Sequence, residues 1–196
     1  MQSEPRRIQH KVSVTMVAVA LAALSVSRVG GYDFIWNDTR YNSDIQMRLN
    51  LTTSWSITAA KMMRQWNRKA FPGTGIRFRW SQTSATPSRN LVNEVAMDST
   101  AWGSSFGSST LGVAILTGSG TRLTEGDVIF NSAYTWHRYR GDFQSGKPAE
   151  FRRVALHEFG HVLGLGHESN KSSIMNPYVG DIYELQSDDI AGVQAL

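Results

Sequence analysis

The spacing of apolar residues along the chain predicts five β-strands. Residues 45–51 read IQMRLNL, so that every second side chain is apolar, which is the period of a strand with one buried face. Short apolar runs bounded by turn-forming residues are typical of more deeply buried strands. The predicted strands cover residues 45–51, 76–81, 92–97, 111–117 and 127–130.

Three other segments carry apolar residues at intervals of three and four, the period of an amphipathic helix. Ser54 or Ser56 can cap the first helix, and the pair at 72–73, proline and glycine, ends it. A second helix is predicted from about residue 149 to 163, and a third over about 187–196. The inward positions are Ile57, Ala60, Met63, Trp66 and Ala70 in the first helix, and Ile190, Val193 and Leu196 in the third.

The order of these elements is strand, helix, four strands, helix, helix, which groups the strands together and predicts an α+β fold. A chain of 196 residues can form one domain with a substantial core and a short appendage. We expect the domain to span residues 45–196, after an extended lead-in over 28–44. A loop rich in serine and glycine follows the third strand, and Trp102 and Phe106 are its expected anchors.

The first 27 residues resemble a secretory signal peptide. Arg6, Arg7 and Lys11 precede an apolar stretch over residues 12–26, which is 15 residues long. That length suits a signal peptide and is short for a membrane span. Small residues predict cleavage near Ser27, and hence a secreted or periplasmic protein. The alternatives are an uncleaved membrane anchor and a buried first helix, and the basic flank argues against the buried helix.

The composition excludes several kinds of chemistry. The chain has no cysteine, which rules out disulfides, thiolate metal ligands and a cysteine nucleophile. Three of the 20 basic residues and one of the 16 acidic residues lie in residues 1–27, so the net charge falls from +4 to +2 without that segment. No basic stripe with interleaved aromatic residues is evident, so we expect a mildly basic surface and no nucleic-acid partner.

The candidate chemistry lies in residues 157–167, HEFGHVLGLGH. Helix positions four apart face the same way, so the imidazoles of His157 and His161 can reach one ion. Neutral imidazole nitrogen suits zinc. Glu158 lies about 100° around the helix axis, beside the ion, where it can activate a zinc-bound water.

Gly164 accounts for a third ligand. Glycine can adopt the left-handed conformation that ends a helix and reverses the chain, which would bring His167 back to the same ion. Three histidines and a water form an open, catalytic type of zinc site. The alternative is an amphipathic helix whose histidines cap it or pair with carboxylates, but this does not explain Glu158, Gly164 and His167 together.

The longer pattern H-E-x-x-H-x-x-G-x-x-H resembles the metzincin signature, which is followed by a Met-turn. Residues 173–178, SIMNPY, resemble that turn, and Met175 falls eight residues after the third histidine, the short spacing of the matrixin branch. Residues 185–194 resemble the closing matrixin helix. The resemblance is strong over 151–196 and weaker back to about residue 45. It implies a zincin-like fold with a mixed, twisted five-stranded sheet, and a monomeric endopeptidase with one catalytic Zn²⁺ that cleaves protein or peptide substrates.

The resemblance also implies roles for individual residues. Met175 would form the apolar floor beneath the zinc without binding it. Pro177 and Tyr178 would line the pocket for the residue after the scissile bond. Arg153 would lie near the bottom of that pocket and make it shallow or polar, the alternative being a surface arginine. The predicted strand over 111–117 would pair with an extended substrate. Its expected contact residues are Gly112, Val113, Ala114 and Ile115.

The sequence also departs from the matrixin pattern. Animal matrixins hold a second, structural zinc in the loop before the edge strand, but the matching residues 99–110 contain no histidine, so we expect no structural zinc. Structural calcium is allowed but lacks a convincing carboxylate cluster. Latency through a cysteine cannot operate, although Asp33 or Asp38 could mask the zinc instead. Tyr178 could assist the transition state, as a tyrosine does in the related astacins. It lies three residues past Met175, whereas the astacin tyrosine lies two past, so we leave Tyr178 outside the catalytic set.

Three other functions stay open at this point. The chain could be a zinc hydrolase with a non-peptide substrate, or an inactive binding module, which the intact Glu158 argues against. It could also be a membrane-anchored processing enzyme, although we expect no lasting membrane association once the signal segment is cleaved.

Overall fold

The computed structural model describes residues 27–29, 32–34, 43–71, 76–119, 122–144, 147–169 and 172–196. The expected signal segment, except for Ser27, lies outside the described residues. Within the expected lead-in, the backbone of Ser27–Val29 pairs antiparallel with Tyr32–Phe34.

One mixed sheet of five strands forms the centre of the fold. The order across the sheet is β2-β1-β3-β5-β4, and all neighbouring pairs are parallel except β4 with β5. β4 is therefore an antiparallel edge strand, and β2 forms the opposite edge. The strands are β1 (Ile45–Asn50), β2 (Phe78–Gln82), β3 (Asn93–Asp98), β4 (Gly112–Ser119) and β5 (Arg122–Asn131).

In the part of the chain that the structure describes, three helices accompany the sheet: α1 (Thr53–Lys69), α2 (Phe151–Val162) and α3 (Ser187–Ala195). The main core contains buried side chains from α1, α2 and one face of the sheet, and the indole Nε1 of Trp66 in α1 donates to the Leu156 carbonyl of α2 at 3.1 Å. The predicted α+β fold, with a five-stranded sheet and three helices, is confirmed. Within the described residues, no helix combines the length and apolar character needed to cross a membrane.

The start of α1 differs from the prediction. Its N-cap is Thr52, whereas Ser56 lies inside the helix and its hydroxyl donates to the Leu51 carbonyl at 3.2 Å. Ile57 was expected to face inward but is 52% exposed. Each step of three residues falls about 60° short of a full turn, so the nine residues between Ile57 and Trp66 place these two side chains on opposite sides of the helix.

A small hairpin occupies part of the predicted loop after β3. Thr100–Ala101 pairs with Ser104–Ser105, and Trp102 and Gly103 form its tip with φ of 49° and 80°. The hairpin covers the face of the sheet opposite α1 and α2. Trp102 and Phe106 pack there against a second apolar cluster, so their expected anchoring role is confirmed. The buried members of this cluster are Ala101, Val113, Ile115 and Ile129.

Candidate metal centre

The three predicted histidine ligands come together at the end of α2. The Nε2 atom of His157 lies 2.9 Å from that of His161 and 3.3 Å from that of His167. One ligand atom from each ring lies within 4.8 Å of the others, so the three can hold a metal ion. His157 and His161 lie one helical turn apart, and His167 follows the turn that ends the helix.

Backbone carbonyls orient two of these rings. His157 Nδ1 lies 2.8 Å from the Ile174 carbonyl oxygen, and His161 Nδ1 lies 2.7 Å from that of Leu165. A carbonyl only accepts, so each Nδ1 carries the proton and each Nε2 of the neutral ring presents a lone pair. Burial, together with the His167 imidazole, lowers the pKa of His157 to about 3. Burial also lowers the pKa of His161 well below its usual value.

This donor set fits zinc. Two unprotonated nitrogens facing each other at 2.9 Å repel unless a cation lies between them. Zinc–nitrogen bonds of about 2.0–2.1 Å in a tetrahedral arrangement place neighbouring nitrogens about 3.3 Å apart, close to the separations found here. Three neutral imidazoles also leave a fourth coordination position open, as catalytic zinc sites do.

The turn after α2 depends on the expected left-handed glycine. Gly164 has φ of 106°, its N–H donates to the His161 carbonyl at 2.8 Å, and Leu165 N–H donates to the Gly160 carbonyl at 3.1 Å. These two bonds form a Schellman motif, which satisfies the last carbonyls of the helix and reverses the chain. The reversal directs His167 back toward the histidines of α2.

Glu158 is buried beside the histidines with its carboxylate unpaired. The residue is 0% exposed, and within the described part of the chain neither carboxylate oxygen has a hydrogen-bond partner. Burial raises its pKa well above the usual value. A Cβ added to Gly112, the first residue of β4, would lie 3.2 Å from Glu158 Oε1 and 3.1 Å from Val154 Cγ1. The absent side chain of Gly112 therefore leaves room for this carboxylate.

The turn containing Met175 packs beneath the histidines. Met175 is buried, and its sulfur lies so close to Gly160 that a Cβ there would overlap it. Asp189 of α3 holds the turn by accepting from Ser173 Oγ at 2.5 Å and from Ile174 N–H at 3.1 Å. Because the carbonyl of the same Ile174 orients the His157 ring, α3 supports a histidine of the site through this turn.

Sequence reasoning did not identify Asp189. The signal that could have found it is a pair of acidic residues, Asp188 and Asp189, at the start of the closing helix, where carboxylates accept free backbone N–H groups. Asp189 Oδ2 accepts from Gln186 N–H at 2.7 Å. Burial nevertheless raises the pKa of Asp189 above its usual value.

Arg153 is only 2% exposed, so it is buried and not a surface arginine. Its guanidinium donates to the carbonyls of Gly141 and Gly180 and lies 5.5 and 5.6 Å from the ring centres of Tyr139 and Tyr183. These contacts join the loop before α2 to the segment after the Met175 turn. The half-buried Pro177 and the exposed Tyr178 lie in that second segment.

The buried carboxylates of Glu94, Glu125 and Asp127 lie at the start of β3 and along β5, where the sequence had indicated no convincing cluster. Glu125 accepts from the N–H groups of Asn90 and Leu91 at 2.8 and 3.0 Å. Asp127 accepts from Glu94 N–H and from Trp102 Nε1, both at 2.8 Å. Burial raises the pKa of Asp127 to about 7. N–H donors from the surrounding loops engage these carboxylates, so a structural role accounts for them and calcium stays unsupported.

Four features together define the metzincin class. They are the helix with its two histidines, the glycine turn, the third histidine and the Met175 turn. The chain belongs to the matrixin family, which it matches over residues 52–196. It is 42% identical over 83 residues to human matrix metalloproteinase-25, a match that covers 39% of this chain and 14% of that protein. It is 45% identical over 92 residues to rat matrilysin, covering 45% of this chain and 32% of that protein. Metalloendoproteinase 4-MMP of Arabidopsis thaliana is 38% identical over 74 residues, covering 36% and 22%. The chain thus matches at most about a third of the length of each of these relatives.

Proposed function

We propose that the chain is a secreted zinc-dependent endopeptidase that hydrolyses peptide bonds in extended protein segments. The observation that carries this proposal is the convergence of three imidazole Nε2 atoms beside an unpaired, buried carboxylate. A structural zinc site would be closed by a fourth protein ligand, whereas this arrangement leaves a position open. Membership of the matrixin family supports the same conclusion.

His157, His161 and His167 would hold one zinc ion. When bound, zinc would polarise the scissile carbonyl and lower the pKa of a coordinated water toward about 7. Glu158 would accept the proton of the attacking water and pass it to the leaving amine, as a general base and then a general acid. The unpaired carboxylate suits this role because no other described protein group competes for its oxygens.

The edge of the sheet would receive the substrate backbone. Among the described strands β4 pairs only with β5, so the peptide groups of residues 112–115 would be available to an extended chain. Pro177 and Tyr178 would flank the pocket for the side chain after the scissile bond. The buried guanidinium of Arg153 would close the bottom of that pocket and limit its depth. Met175 would supply the floor beneath the metal.

The N-terminal segment supports export, followed by cleavage near Ser27. The mature protein would be a monomer outside the cytoplasm, without a nucleic-acid partner. N-terminal sequencing of the exported protein distinguishes this from an anchored form, in which the chain would keep its apolar residues 12–26.

Replacing the glutamate tests the proposal. Glu158→Ala should keep stoichiometric zinc, because the three imidazoles remain, but should lose at least about a thousandfold in turnover of casein or gelatin. A chelator should abolish the activity of the unchanged protein. Substantial proteolysis by Glu158→Ala would exclude the glutamate from the reaction. Hydrolysis of small esters with no cleavage of casein would indicate a non-peptide substrate instead.

A further inference from the structure

Positive charge is concentrated in one part of this chain. Residues 45–93 contain eight lysines and arginines and no aspartate or glutamate. Residues 94–196 contain seven basic and twelve acidic side chains. The modest net charge of +4, from which we expected a mildly basic surface, therefore hides two regions of opposite sign.

The fold gathers much of this charge on the outer face of α1. Lys61, Arg64 and Arg68 are exposed and follow one another at intervals of three and four, so they form a single stripe. The stripe extends roughly 10 Å along the helix. Met63 and Trp66 on the opposite face are buried in the core, so the stripe faces away from the rest of the protein.

The basic surface continues around the β2 edge of the sheet. The Arg64 guanidinium lies 5.3 Å from the ring centre of Trp80 in β2. Arg48 and Arg79 are exposed and alternate with buried strand residues, so they lie on the face of the sheet opposite α1. Arg79 pairs with Asp44 at 2.7 Å, and the flanking Arg77 is exposed. We call the charges of α1, β1 and β2 together the basic edge.

The basic edge lies far from the candidate metal centre. β2 and β4 are the two opposite edges of a five-stranded sheet, which places them roughly 19 Å apart at the usual strand spacing. β4 is the proposed substrate strand, and the Glu158 carboxylate of α2 lies beside Gly112 at its start. A partner bound along the basic edge would therefore leave the proposed cleft open.

The chemistry of the basic edge favours one class of partner over others. Among its described residues no aromatic ring is exposed, and the exposed large apolar side chains in this part of the chain are Ile57 and Leu91. Recognition of single-stranded nucleic acid uses stacking on aromatic rings, and interfacial membrane binding uses an apolar helix face. The charge also wraps around an edge from one face of the sheet to the other, which a flat bilayer cannot follow. A flexible linear polyanion can follow it.

We propose that the basic edge binds a linear sulfated polysaccharide, which would hold the protein on an acidic matrix with its cleft free. Guanidinium groups bind oxyanions such as sulfate in bidentate geometry. The binding needs neither zinc nor Glu158, so it can be tested independently of peptidase activity.

The test compares two double variants with the same change in charge. Lys61→Glu with Arg68→Glu alters the basic edge, and Arg140→Glu with Lys147→Glu, also at exposed positions, alters charge elsewhere. Heparin is the probe, and affinity is measured by calorimetry from 50 to 200 mM NaCl. We expect the first variant to lose at least tenfold in affinity and the second less than twofold, with the affinity of the unchanged protein falling steeply as salt rises. The first variant should keep its thermal midpoint and its kcat/KM on a short peptide.

Equal losses in the two double variants would overturn the proposal, because net charge alone would then explain the binding. Tighter binding to duplex DNA or to vesicles with 30% phosphatidylserine than to heparin at the same salt would also overturn it. The same holds if the unchanged protein does not bind heparin at 100 mM NaCl.

Discussion

Gly160 lies between the two histidines of α2, and its missing side chain lets the Met175 turn pack directly on the helix. A Cβ at this position would overlap the Met175 sulfur and lie 3.2 Å from Trp66 Cζ2. The glycine thus matters for packing, whereas Gly164 matters for backbone conformation. Both glycines lie within residues 157–167, the segment that contains the three histidines.

We predict that Gly160→Ala destabilises the protein by about 1–3 kcal/mol, because overpacking a buried site forces neighbouring groups to move. The displaced Met175 turn also carries the Ile174 carbonyl that orients His157, so zinc affinity should fall. Urea unfolding and zinc titration measure the two effects. Gly180→Ala is the matched control, because a Cβ there meets nothing within 4 Å. Equal stability of the two variants would contradict this account.

Among individual residues, the sequence predicted those members of the site whose partners are close in the chain. His157, His161 and His167 fall within eleven residues, and the helical repeat and one glycine suffice to bring them together. Asp189 and Arg153 act on backbone groups 15 and 27 residues away. The spacing of apolar residues does not predict contacts between residues this far apart in the chain. The hydrogen bonds of these two residues could therefore be identified only from the structure.

At the scale of elements, a buried carboxylate of β5 adds a hydrogen bond to the apolar contacts of the hairpin after β3. Asp127 of β5 accepts the indole N–H of Trp102 at the hairpin tip, and burial raises its pKa to about 7. In the unfolded chain this carboxyl has the ordinary aspartate pKa of 3.8. Between these two values the folded protein holds a proton that the unfolded chain has lost.

The stability contributed by this group is therefore greatest at acidic pH and declines as pH rises from about 4 to about 7, by at most about 1.4 kcal/mol per pH unit. We predict that Asp127→Asn, which cannot titrate, shows a flatter dependence of unfolding free energy over this range. Urea unfolding at pH 4, 5, 6 and 7 measures it. Asp142→Asn, at an exposed position, serves as the control. Parallel pH profiles for the unchanged protein and Asp127→Asn would refute the assignment.

The number and order of elements followed from periodicity, but some boundaries did not. β5 was predicted to begin at residue 127 and begins at Arg122. Its first half contains Glu125, which a hydrophobicity pattern reads as exposed although it is fully buried. Loop N–H groups bonded to this carboxylate make its burial favourable. The hydrophobicity pattern of the strand gives no information about those loops, so it could not predict the burial of Glu125.

For the molecule as a whole, the proposed metal would add a further connection between α2 and the segment that follows it. His157 and His161 belong to α2, His167 follows it, and the Met175 turn connects the site to α3 through Asp189. A ligand that binds the folded state stabilises it in proportion to the logarithm of its concentration over the Kd. At a thousandfold excess over the Kd this amounts to about 4 kcal/mol.

We predict that a chelator lowers the thermal midpoint of the protein and that added zinc restores it. His167→Asn should show a much smaller chelator effect, because two imidazoles hold the ion weakly. Scanning calorimetry with and without chelator provides the measurement. If the unchanged protein unfolded at the same temperature in both conditions, the three histidines would have to be regarded as a packed cluster without a resident metal.

The fold class could be predicted because four of the five strands follow one another along the chain and two helices come after them. The distribution of charge could not, since a net value averages over positions that the fold separates. The basic residues of α1, β1 and β2 become one surface only when these elements come together at the far edge of the sheet.

If β4 receives the substrate as proposed, its environment would determine what kind of polypeptide is cleaved. The side chains of Val113 and Ile115 are buried against the hairpin, so a chain lying along this edge would meet main-chain donors and acceptors and few side chains. Such contacts discriminate poorly between amino-acid types but require about four consecutive residues free of other secondary structure. Susceptibility would then depend more on local unfolding of the target than on its sequence, and linkers and frayed termini would be cut before compact domains.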